Sequence, residues 1–125
     1  MKKISIIAMV AVFASVFSLT ALAEETPEEL MNEARGLVSI GFDMSEYSSS
    51  SSNSDVAQCM DMMQEHQPRA EELRSRIASL PFSVSKSNLD MAAIDLHRCL
   101  SCVPDAVSSC EAAEALVDTA EQYLN

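Results

Sequence analysis

An all-α fold is expected from this sequence: a small up-and-down bundle of about four helices, stapled by disulfides. Three observations carry that expectation. The chain has only two glycines and no tryptophan, and it lacks the alternation of Val, Ile and Tyr with polar residues that half-buried strands need. Apolar residues recur instead at helical spacing in four stretches. All four cysteines lie beyond an N-terminal segment that has the form of an export signal.

That segment is residues 1–23. Lys2 and Lys3 form a positive start, Ile4 to Leu22 carries no charge, and Ala21-Leu22-Ala23 has the small-x-small form that signal peptidase cuts. Glu24 is then the first residue of a mature domain spanning 24–125. A retained anchor is disfavoured because acidic Glu24-Glu25 follows the apolar stretch and no Lys/Arg cluster stops transfer. No cysteine stands at the cleavage point, so acylation of a new terminal Cys is not open to it. The brief lysine-led signal points to a bacterial protein, periplasmic or secreted, with no stable membrane anchor after processing.

Without residues 1–23 the chain has 102 residues, about the size at which a single core forms. Those residues hold all 19 acids but only six bases, a formal charge of −13. Phosphate backbones need a basic stripe, so nucleic acid is not an expected partner. The acidity reads first as a solvated, solubilising surface, with another protein, a basic one, or loosely bound cations as the alternatives.

The first helix is expected over about 27–40. Thr26 offers a cap hydroxyl, Pro27 suits the first helical position, and Glu29 stands near the helix start where its charge is favourable. Leu30, Ala34, Leu37 and Val38 share a face, and Gly41 is expected to end the helix as a left-handed cap with Phe42 folding back. Gly36, inside the helix, costs about 1 kcal/mol relative to Ala. A flexible Ser-rich loop is expected at 48–54, because hydroxyls that compete for their own backbone bury nothing. The second helix, about 55–80, carries Val56, Cys59, Met63, Ala70, Leu73, Ile77 and Leu80 near a heptad seam, and Pro68 is expected to kink it. The third follows a cap at Ser87, with Leu89, Ala92, Leu96 and Cys99 inward. The fourth follows Pro104 and a cap at Ser108, with Cys110, Ala113, Val117, Ala120 and Leu124 on one side.

Four cysteines in a small exported domain read as two disulfides. Antiparallel second and third helices bring Cys59 level with Cys99 and Cys102, and Cys110 follows directly. Joining Cys59 to Cys110 leaves Cys99 to close on Cys102 at a helix end, the poorest geometry. Cys59 with Cys102 and Cys99 with Cys110 is preferred slightly over Cys59 with Cys99 and Cys102 with Cys110, because positions 99 and 110 sit symmetrically about Pro104. Either long bridge closes about 40 residues, worth roughly 3 to 4.7 kcal/mol in the chain-entropy description.

Cys99-Leu100-Ser101-Cys102 also has the CxxC form of thiol oxidoreductases. A helix C-terminus is negative, however, and Asp105 adds to it, so a reactive thiolate is not favoured there. The alternative with most chemical content is a soft-metal site: Cys59, Met62, Met63 and His66 lie along one stretch of helix and form a donor set suited to Cu(I). Zinc held by the cysteines fits no familiar spacing. No Gly-rich phosphate loop, GxSxG or HExxH occurs, so no catalytic residue and no cofactor are assigned. The expected function is that of a non-enzymatic binding, inhibitory or chaperone-like module, with a periplasmic copper-binding protein as the alternative.

Overall fold

The computed structural model describes residues 25–124. The expected signal, with its cleavage residues Ala21 and Ala23, lies outside them. Four helices follow in order: α1 Pro27–Ser48, α2 Asn53–Ala78, α3 Val84–Cys99 and α4 Ala106–Gln122. No strand occurs among the described residues, and none of their helices is long and apolar enough to cross a membrane. Each helix packs on the next, α4 returns to α1, and α1 also reaches α3 across the middle, while α2 and α4 occupy opposite corners. This is the up-and-down bundle that short connections favour.

α1 starts as its sequence dictates. Thr26 Oγ1 accepts from the Glu29 amide at 3.3 Å, Pro27 occupies the first turn, and Glu28 and Glu29 face the positive end of the helix. It does not stop at Gly41. The helix continues to Ser48, no described residue adopts positive φ, and Met44, beyond the expected end, is fully buried. Gly41 answers a different need. A Cβ built there would stand 2.2 Å from Cys99 Sγ, 2.8 Å from Cys110 Sγ and 3.1 Å from the Cys99 carbonyl oxygen, so the missing side chain is the seat of a disulfide.

The serine run ends α1 by supplying alternative partners for its last carbonyls. Ser48 and Ser49 hydroxyls donate to the Ser45 oxygen at 3.2 and 2.9 Å, and the Ser49 amide does so at 3.1 Å. Because α2 begins at Asn53, the connection is only residues 49–52, shorter than the expected loop at 48–54.

α2 passes through Pro68 unbroken, so the proline neither ends nor restarts it. Its burial is uneven. Ala70, Leu73 and Ile77 anchor the second half, whereas Cys59 is the one fully buried residue before Ala70, and Val56 and Met60 are exposed. Ion pairing adds to the anchored half: the Arg76 guanidinium meets Glu25 at 2.9 Å and Glu33 at 2.8 Å, and hydrogen bonds to both carboxylates raise its pKa.

α3 begins a turn earlier than expected. Ser83 rather than Ser87 is the cap, its Oγ accepting from the Lys86 amide at 3.0 Å. Ser85 thereby turns inward, where it is buried and donates to the Ala120 carbonyl at 2.5 Å. α4 also starts early, at Ala106 behind Asp105, so Ser108 lies within the helix. The Asp105 carboxylate makes no cap bond and meets Arg98 at 2.5 Å instead. The core between the helices is built from Leu30, Leu37, Leu73, Ile77, Leu89, Leu96, Leu100 and Val117, each fully buried and worth about 1.5–3 kcal/mol. Alanines 92, 93, 113 and 120 are also buried and let backbones approach closely.

Candidate functional site: an acidic groove between α1 and α4

The cysteines are structural clamps. Cys59 joins Cys102 (Cα–Cα 6.1 Å) and Cys99 joins Cys110 (4.6 Å), and no described cysteine is free. The CxxC sulfurs therefore diverge, one bridging to α2 and the other to α4. Cys59 contributes no thiolate to the copper donor set, which is left with Met62, Met63 and His66, all half-buried on α2. His66 Nδ1 is 3.1 Å from the Arg69 guanidinium, and His97 Nδ1 is 2.9 Å from Glu71 Oε1. Among the described residues no three His, Cys, Asp or Glu side chains gather as a metal cluster. Neither histidine is paired with a hydroxyl or thiol nucleophile.

A different arrangement stands out once the fold is known. Every acidic residue of α4 lies on one helical face: Glu111, Glu114, Asp118 and Glu121 follow at intervals of three, four and three. Such neighbours repel one another by a few tenths of a kcal/mol per pair, and α4 has no basic residue to offset them. This face borders α1. The matching stripe of α1 carries Glu28, Met31, Arg35, Val38 and Phe42, and together the two stripes enclose a groove.

Arg35 divides the groove. Its guanidinium donates to Asp118 at 2.6 Å and also to Glu121, and these carboxylates, the Asp118 hydrogen bond foremost, raise its pKa. On one side lies a hollow of about 340 Å³ bounded by Glu28, Met31, Glu121 and Leu124. On the other lies one of about 320 Å³ bounded by Val38, Phe42, Glu114 and Asp118. The floor is mixed, Met31, Val38, Phe42 and Leu124 standing with Asn32 and Ser39, and the rim is carboxylate. One cation is already bound across two acids, and Glu114 extends the rim beyond its reach, with Glu111 next along the same helical stripe. Chemically, the groove can accept guanidinium or ammonium groups from a partner whose apolar side chains fill the hollows.

Sequence reasoning missed this groove. The three-four-three spacing of the α4 acids was the available signal, but it acquires meaning only when α1 supplies the facing wall. Comparison with known proteins matches the chain to no family model, no curated protein and no solved structure.

Proposed function

We propose that this protein is an exported, non-enzymatic helical module that binds a basic protein segment in the α1–α4 groove. The observation that carries the reading is the concentration of all α4 carboxylates on one helical stripe, three of them lining hollows that also hold apolar side chains of α1. A surface acidic only for solubility needs no such alignment, since scattered carboxylates hydrate equally well and repel less. Lysine or arginine residues on the partner would pair with Glu114, Asp118 and Glu121, and its apolar residues would rest on the half-buried Phe42 and Leu124. The two bridges and the signal-like residues 1–23 support export to the periplasm or beyond the cell. Commitment of all four sulfurs to bridges supports binding over redox work.

The test is calorimetric titration with an amphipathic leucine–lysine peptide. Replacing Glu114→Gln and Asp118→Asn together is expected to weaken binding about tenfold, or about 1.4 kcal/mol. The control pair Asp61→Asn and Glu72→Gln on α2 removes the same charge elsewhere. Equal weakening by both pairs would reduce the effect to net charge and remove the groove from the account.

A further inference from the structure

The outer face of α3 and the turn ahead of it carry four of the nine large apolar side chains exposed among the described residues. Val84 is 52% exposed, Met91 52% and Ile94 56%, and Phe82, just ahead of the helix, is 91% exposed. Positions 84, 87, 91, 94 and 98 follow at intervals of three and four, so Val84, Ser87, Met91, Ile94 and Arg98 form one stripe. It is apolar for most of its length and narrow at Ser87. Patches of this kind, exposed and continuous, mark contact surfaces more than they mark chance.

Charge selects the occupant. The side chains of α1 and of α4 each sum to −4 and those of α2 to −2, whereas Lys86, Asp90, Asp95 and Arg98 bring α3 to zero. Both bases of α3 are also neutralised within the chain, Lys86 by Asp90 at 2.7 Å and Arg98 by Asp105 at 2.5 Å. Two copies of this acidic protein therefore repel each other least when they meet through α3. The stripe is complementary to itself as well. With two α3 helices antiparallel about a two-fold axis at Met91, Ile94 of each copy falls opposite the small Ser87–Asn88 segment of the other. Phe82 of each falls beside Arg98 of the other, where a guanidinium can lie on the ring. Antiparallel packing also sets each helix N-terminus against the other's C-terminus, the favourable order of dipoles.

We propose that α3 is a self-association face, and that the protein forms an isologous dimer through Phe82, Val84, Met91 and Ile94. The dimer leaves both α1–α4 grooves open, so one assembly can hold two basic segments. A single pair of short helices falls below the roughly 1,200–2,000 Å² of a standard interface, so the dimer is weak, with Kd in the micromolar range.

Sedimentation equilibrium of the purified protein, disulfides intact, from about 5 to 500 µM tests this. A monomer–dimer equilibrium is expected that tightens at least threefold on raising NaCl from about 20 to 500 mM, because salt screens the repulsion between two acidic chains. Met91→Glu and Ile94→Glu are expected to weaken it tenfold or more. Both positions are more than half exposed, so circular dichroism spectra should remain those of the parent. A monomer at the highest concentration in high salt would overturn the proposal, as would a dimer that survives both substitutions or one that loosens with salt. Binding of the leucine–lysine peptide responds in the opposite sense to salt and is expected to be unchanged by Ile94→Glu, so the two surfaces fail or stand separately.

Discussion

Replacing Gly41 by alanine is expected to destabilise the protein even though it removes a glycine from a helix. Helix propensity alone would favour the change by about 0.8–1.0 kcal/mol. Against that, the new methyl carbon would sit 2.2 Å from Cys99 Sγ and 2.8 Å from Cys110 Sγ, where nonbonded heavy atoms need about 3.5–4.0 Å. The sulfurs cannot swing aside, because each is tied to the other and through its own Cβ to a helix. Overpacking of this kind costs about 1–3 kcal/mol, and the tethered neighbour puts Gly41→Ala at the upper end, for a net loss of about 2 kcal/mol. Gly36, less than two turns away in the same helix, is the internal control: a Cβ there meets nothing within 4 Å, so Gly36→Ala should gain about 1 kcal/mol. The gap of about 3 kcal/mol corresponds to melting temperatures roughly 12–24 °C apart for a domain of this size. Urea and thermal unfolding followed by circular dichroism without reductant would measure it. In a Cys99→Ala, Cys110→Ala background both sulfurs are gone and only the Cys99 carbonyl oxygen, at 3.1 Å, remains close, so most of the penalty should vanish. Equal stabilisation by the two glycine substitutions would refute the reasoning.

Other outcomes follow from the same structure. Replacing Cys59 and Cys102 together by alanine should cost about 4 kcal/mol, from the loop entropy of a 43-residue separation, and hydrogen exchange should quicken most between Asn53 and Gln67, where little else is buried. Ser85→Ala should lose about 1–2 kcal/mol in urea unfolding, because it removes a buried hydrogen bond to the Ala120 carbonyl; a neutral result would mean that bond contributes nothing. Arg35→Gln should change stability by less than about 1 kcal/mol, since the pair is partly exposed, yet tighten the leucine–lysine peptide severalfold by freeing Asp118 and Glu121. Weaker peptide binding in that variant would make Arg35 a structural support of the groove and not a competitor for it.

Helical periodicity carried most of the architecture. Leu89, Ala92, Leu96 and Cys99 are inward on α3 as their spacing requires, and so are Cys110, Ala113, Val117 and Ala120 on α4. Periodicity survives because it averages over many residues, whereas an element's end rests on one or two. Gly41 illustrates the difficulty: a cap glycine and a glycine that admits a neighbour look identical until Cys99 and Cys110 are known to converge on it. Ser83 and Ser87 pose a similar choice. Each can cap a helix, and burial of Ser85 against Ala120, a contact 35 residues distant, accompanies the earlier start. Val56 fits a heptad seam yet is exposed, because the first half of α2 is held by one bridge with only the half-buried Met62 and Met63 packed beside it. The groove was hidden for a related reason, since its walls are separated by more than 80 residues at the Arg35–Asp118 pair.

Both sulfur bridges sit at one end of the bundle, where Gly41, Cys59, Cys102 and Cys110 come together. The opposite end, with the 79–83 turn, is fastened by packing, ion pairs and the Ser85–Ala120 hydrogen bond, without a covalent link among the described residues. Thermal fluctuation is therefore expected to part the unbridged tips more readily than the joined end, as in a tweezer. A protease should nick the 79–83 turn long before it reaches the 100–105 connection. Phe82, standing at the moving tip, would sweep out more volume than any residue near the pivot.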